Sequence, residues 1–330
     1  SDHRAGQSES VIGTRRPVAL SGDNDRMHTL APGISYLDLD FLQVPHVIAT
    51  GVLQSAGGVA LVDPGPASTL GTLRQRLGAA GIDLKDVTAL LITHIHLDHA
   101  GATGVLLREY PAIRVYVHEA GAPHMIDPAK LLASATRLYG SEMDRLWGEV
   151  LPVPASALTV LRGGERIEAG GRPFDVAYTP GHASHHVSYF NAETGIAFVG
   201  DTAGIRLTPR EYVLPPTPPP DIDLEAWDRS LAQYDAWRPE TLFLTHFGPS
   251  GPVAAHIAQL REHTAVMAGL VKQSLARDGS DEARESWAVD QIRLELTRRL
   301  GPQDASAYET AGRLDLSYRG LARYWKKKGL

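Results

Sequence analysis

Four side chains able to bind metal ions fall within six residues in Thr93-His94-Ile95-His96-Leu97-Asp98-His99. The segment follows Val87-Thr88-Ala89-Leu90-Leu91-Ile92, a short, partly β-branched apolar run that reads as a buried strand. In an extended backbone His94, His96 and Asp98 point to one side. His99 breaks the alternation and Ala100-Gly101-Ala102 opens a helix, so four donors on a sharp strand-to-helix turn can face two neighbouring ions. Buried without a partner, four such groups would be costly. Three more apolar strands end the same way. Phe174–Tyr178 runs into Thr179-Pro180-Gly181-His182, Ile196–Val199 into Gly200-Asp201, and Thr241–Thr245 into His246. Strand tips on a rigid sheet are where sites are commonly built.

The elements that must carry these tips follow from composition and pattern. The chain has 330 residues, 43% hydrophobic and 21% charged, which suits one large globular unit or a main domain with an appendage. Its net charge of −6 argues against a nucleic-acid partner. No apolar run approaches the ~18 residues of a membrane span. The absence of Cys excludes zinc-thiolate sites and disulfides. Residues 1–26 are polar and aperiodic and read as a flexible arm or the remnant of a leader. They lack a signal-peptide pattern, so a cytoplasmic location is expected.

Short strands are predicted at Ile34–Leu39, Val47–Gln54 and Val59–Val62, the last ending in Asp63-Pro64-Gly65. A helix over Thr69–Leu77, the ligand strand, a helix over Ala100–Glu109 and a strand at Val115–Val117 follow. Residues 120–150 read as helical pieces broken by Pro123 and Pro128, an apolar insertion that shapes a pocket or a dimer contact. Strands return at Leu158–Leu161, Arg166–Glu168 and His186–Phe190. A stiff loop, Leu214-Pro215-Pro216-Thr217-Pro218-Pro219-Pro220, leads into a helix with Leu224, Trp227, Leu231 and Tyr234 at 3-4-3 spacing. From Val253 onward the chain reads as helical. The expected division is an arm (1–26), a main domain (27–250) and a helical extension (251–330).

Taken together, the motifs resemble the metallo-β-lactamase superfamily over roughly Gly33 to Gly248. Thr179-Pro180-Gly181-His182 and Gly200-Asp201-Thr202 are similar to its hydrolase branch of glyoxalase II and lactonases. The resemblance implies an α/β protein, an αββα sandwich with a dinuclear site between two sheets, here with a C-terminal helical extension. It implies that His94, His96 and His182 hold one metal, that Asp98, His99 and His246 hold a second, and that Asp201 bridges them. Asp63 matches the position that supports the ligands from behind. An N/O donor set suits Zn2+, two per chain, and also iron or manganese. Two ions about 3.5–4 Å apart hold a bridging water and bring its pKa toward ~7, giving a hydroxide nucleophile.

The expected function is a hydrolase of a small-molecule ester, lactone or thioester, with Asp98 and Asp201 as the catalytic carboxylates. The alternative within the fold is a mononuclear iron oxidoreductase of the sulfur dioxygenase type, and a silent binding protein is a third reading. Lactonases of this group carry a Tyr three residues after the bridging Asp, where this chain has Gly204; Tyr212 is the nearest replacement. Arg206 is placed to hold an anionic substrate and His185 to line the pocket. His118, His124, His256 and His263 are expected in surface or packing roles. The basic residues Arg319, Arg323 and Lys326-Lys327-Lys328 do not match the glutathione-binding pattern of glyoxalase II and read as a solvated helix end. A homodimer is compatible with the apolar insertion.

Overall fold

The computed structural model describes residues 26–207 and 212–330, so the arm expected over 1–26 lies, apart from Arg26, outside the described residues. The first of two sheets runs in sequence order: β1 (His28–Ala31), β2 (Ile34–Asp38), β3 (Ala49–Ser55), β4 (Gly58–Val62), β5 (Val87–Leu91), β6 (Arg114–His118) and β7 (Leu158–Leu161). It is antiparallel through β4 and parallel from β4 to β7. The second holds β8 (Arg166–Ala169), β9 (Arg172–Tyr178), β10 (Val187–Asn191), β11 (Ile196–Phe198), β12 (Thr241–Leu244) and β13 (Gly248–Ser250). Its pairs are antiparallel except β11 with β12.

Period-two alternation decides what each strand face buries. In β4, Ala60 and Val62 join Phe174, Val176 and Phe198 between the sheets, while Val59 and Leu61 face outward to Leu73, Leu77 and Leu106 of the covering helices. The opposite flank of the second sheet is covered by Leu224–Trp237 and by four helices, Val253–Leu275, Asp281–Leu300, Pro302–Gly312 and Leu314–Lys327, whose apolar faces belong to the same buried cluster as the sheet. The layering is αββα with a C-terminal helical extension, the fold expected above. Among the described residues no helix is long and apolar enough to cross a membrane.

Some expected elements take a different form. The helix expected over Ala100–Glu109 is divided into Leu97–Ala100 and Thr103–Glu109. Pro123 and Pro128 do not break helices but start them, at Ala122–Ile126 and Ala129–Tyr139, where a missing N–H costs no hydrogen bond. Gly301-Pro302 both closes one helix and opens the next, Pro302–Gly312, within the stretch read as helical.

Two histidines of Val253–Leu275 are buried clamps. His256 bonds Ser250 Oγ at 2.8 Å and donates to the Ala203 carbonyl at 2.7 Å, and His263 donates to the Val213 carbonyl at 2.7 Å. They fix the extension to the segment that follows Asp201. Burial pushes the His256 pKa down from 6.5 to about 4, with the nearby Arg206 charge acting the same way and the Ala203 carbonyl opposing. The fold therefore holds the neutral ring, and below about pH 6.5 the unfolded chain binds the extra proton. Its stabilisation is full above that pH and is lost as pH falls toward 4. The stability advantage of wild type over His256→Gln, measured by urea unfolding, should narrow by about 3 kcal/mol between pH 7.5 and pH 4.

Candidate metal centre

All seven expected donors meet at one end of the sandwich. The segment after β5 brings His94, His96, Asp98 and His99; the turn after β9 brings His182, the turn after β11 Asp201, and the end of β12 His246. His94 Nε2 lies 2.9 Å and His182 Nε2 3.1 Å from His96 Nδ1. His246 Nε2 is 3.2 Å from Asp98 Oδ2. Asp201 stands between the two groups: Oδ2 is 3.5 Å from His182 Nε2, and Oδ1 is 3.3 Å from His99 Nε2 and 3.6 Å from His246 Nε2. The sets His94/His96/His182, His94/His99/Asp201 and Asp98/His99/His246 each bring donor atoms within 4.8 Å of one another.

The outward ring nitrogens explain why these atoms point inward. Nδ1 of His99 donates to Asp63 Oδ2 (2.8 Å), Nδ1 of His182 to the Pro216 carbonyl (2.9 Å) and Nδ1 of His246 to the Val47 carbonyl (2.6 Å). His94 Nδ1 faces Thr93 Oγ1 at 3.2 Å. Each ring thus turns an Nε2 lone pair to the centre, while His96 presents Nδ1. His99 Nε2 and Asp201 Oδ1 are buried without a hydrogen bond. Orphaned buried polar atoms of this kind need a partner. A tetrahedral ion with ligand distances of about 2.0–2.2 Å sets neighbouring donors about 3.3 Å apart, so the residues present fit metal ions.

The electrostatics divide the donors: against burial, the Asp201 and Asp98 carboxylates raise the His99 pKa well above its ordinary range and raise that of His246, so a cation binding at these two rings would displace protons. Burial, reinforced by the neighbouring imidazoles, holds the His94 pKa well below the ordinary range, and burial with His182 lowers His96 to about 4. Neutral rings keep the lone pairs that ligation needs. Burial works against the Asp201 carboxylate, but the His99, His246 and His182 rings outweigh it and keep the group ionised.

Supporting residues were only partly legible. Asp63, fully buried at the end of β4, accepts from Thr93 N (2.8 Å), Thr93 Oγ1 (2.7 Å) and Thr245 Oγ1 (2.7 Å) besides His99. His186, read as a strand start, accepts the Asp201 amide at Nε2 (3.2 Å) and bonds Thr179 at Nδ1 (2.9 Å). Gly200 sits at φ +46°, where a Cβ would lie 2.6 Å from both His186 Nε2 and Thr93 Oγ1, so the turn into Asp201 requires glycine.

A cavity of about 680 Å3 opens over the cluster, walled by the β2–β3 connection, the 120–150 insertion, the proline loop and the 311–316 segment. His185 and, from the insertion, Tyr139 and His124 line it. Arg206 and Tyr212 do not, which corrects their expected placement. The Arg206 amide donates to the His246 carbonyl at 2.6 Å, and its charge acts on His256 and Tyr308. Tyr212 is buried with its ring stacked on His263, centroids 4.1 Å apart.

The model of the metallo-beta-lactamase superfamily matches residues 44–246. The chain belongs to this superfamily. It is 29% identical over 176 residues to a metallo-beta-lactamase fold-containing protein of Sulfurisphaera tokodaii, covering 52% of this chain and 65% of that one. It is 32% identical over 143 residues to a hydroxyacylglutathione hydrolase of a Synechococcus strain, covering 43% of each. The chain thus spans less than two thirds of these relatives. A metallo-beta-lactamase family protein of Thermus thermophilus superposes with a TM-score of 0.68 at 23% identity, over 91% of this chain and 95% of that one. A beta-lactamase domain protein of Burkholderia ambifaria gives 0.62 at 22%, over 92% and 91%. These two likenesses bear on the fold.

Replacing Asp63 by Asn leaves one acceptor oxygen where two serve four donors. Metal affinity of Asp63→Asn, measured by competition with a chromogenic chelator, should fall about 10–100-fold, the usual effect of losing the partner of a ligating imidazole.

Proposed function

We propose that the chain is a metal-dependent hydrolase with two cations per centre, cleaving an ester, lactone or thioester of a small molecule. Membership of the superfamily and the hydroxyacylglutathione hydrolase names among its relatives support metal-dependent hydrolysis. The observation that carries the two-cation reading is Asp201, whose two oxygens face different donor groups: Oδ2 toward His182, Oδ1 toward His99 and His246. One set is His94, His96 and His182, the other Asp98, His99 and His246. Zinc fits these donors, as do iron and manganese. Bound cations supply an acidified water and a Lewis-acid contact for a carbonyl oxygen.

The protein's own part is positional. Pro216, Val47 and Asp63 fix the ring orientations of His182, His246 and His99, and His186 fixes the Asp201 backbone. Asp98 and Asp201 remain ionised; burial opposes this for Asp98, but the His99 and His246 rings bring its pKa to about 2. The complete Asp98/His99/His246 set favours hydrolysis over a single-iron oxidation, which would leave that set without a task.

Metal analysis of the purified protein should give two equivalents per chain, and the loaded protein should turn over at least one of a panel of esters, lactones, thioesters and phosphodiesters. Asp201→Ala should lower kcat/KM by more than the ~100-fold upper end seen for residues that merely support a ligand. One iron per chain with oxygen uptake on a persulfide, or no turnover by a fully metallated sample, would overturn the proposal.

A further inference from the structure

The chamber above the ionic floor is of a different character from the floor itself. We infer that it takes uncharged substrates with an apolar acyl chain, in preference to the charged glutathione thioesters that its relatives' names suggest. The inference rests on the hydrolytic reading above.

Three features point the same way. The first is the wall. Phe41 and Val47 of the β2–β3 connection line the cavity together with Leu131, Leu138 and Trp147 of the insertion. Trp147 stacks on Phe41 with centroids 5.7 Å apart and meets Tyr139 edge-on at 5.1 Å, which closes the two segments into one apolar surface. The volume of about 680 Å3 is in the range of small-molecule pockets.

The second is the state of the cations. Glutathione brings two carboxylates, and moving a carboxylate into an apolar chamber without a cationic partner is costly. Arg145 is engaged by Glu142 at 2.6 Å, and Arg313 is held by both oxygens of Asp315 at 3.0 and 2.8 Å with its guanidinium over the Tyr139 ring. Lys130 is exposed at the rim, the one lining Lys or Arg without an ion pair among the described residues. Arg319, Lys326 and Lys328 pair with Glu285, Asp281 and Glu225 elsewhere on the surface.

The third is the kind of polar group that remains. His185 Nδ1 accepts the Ile95 amide at 3.4 Å, so the ring proton sits on Nε2, and the ring lies 5.5 Å from that of His96. Tyr139 lines the cavity and brings a phenolic O–H. Both are neutral donors, suited to the carbonyl or ring oxygen of an uncharged ester.

The test uses the metal-loaded protein and pairs that differ only in charge. The octanoyl thioester of N-acetylcysteamine should be hydrolysed with kcat/KM at least tenfold above that of the octanoyl thioester of glutathione. Across acetyl to octanoyl esters of N-acetylcysteamine the value should rise about two- to fourfold per methylene. Equal or better turnover of the glutathione thioester, or no dependence on chain length, would overturn the inference. A binding measurement separates this from failure of the proposed reaction. By calorimetry the non-hydrolysable S-octyl-N-acetylcysteamine should bind at least tenfold tighter than S-octylglutathione; the reverse order, with or without turnover, sinks the assignment.

Discussion

One buried carboxylate ties the two halves of the sandwich together at the site. Asp63 ends β4 of the first sheet, and its oxygens are shared among Thr93 and His99 after β5 and Thr245 at the end of β12 in the second sheet. A charge with no exposure is tolerable only when every lone pair is used. Four donors from two segments, one in each sheet, meet that demand only if both sheets stand in one register and one separation. The same requirement that makes a buried Asp63 tolerable therefore aligns the strand tips that carry the metal-binding side chains.

The local parts of this arrangement were written in the chain. Each donor follows an apolar strand by at most a few residues, and strand ends project side chains in a direction set by the backbone, so His94, His96, Asp98, His99, His182, Asp201 and His246 could be read individually. Their convergence was legible only through the resemblance to a known family, because the Asp201 and His99 tips are about a hundred residues apart and nothing in spacing reports that they meet. His186 was read only as a strand start for a related reason: nothing local reports that the packed structure puts the Asp201 amide at its Nε2. Arg206 and Tyr212 were misplaced because the extension, whose docking site the sequence does not report, packs on both through His256, His263 and Tyr308.

The superfamily supplies the floor of the site and the appendages supply its character. Solved structures at little more than 20% identity keep the layered fold, and such a fold hosts many chemistries on one kind of centre. In this chain the insertion that carries Tyr139 and Trp147 and the segment that carries Arg313 meet over the cavity. What distinguishes one member from another is then decided far from the ligands in sequence.

The proline loop gives the last helix a hold on the centre. Pro216 receives the His182 imidazole, the neighbouring Thr217 donates to the Ser317 carbonyl at 3.1 Å, and Gly320 lies where any side chain would collide with the Thr217 carbonyl. His182 precedes Ser317 by 135 residues in the chain. The carbonyl that orients His182 is therefore seated by a helix far along the chain, and the docking of Leu314–Lys327 bears directly on the aim of that ring.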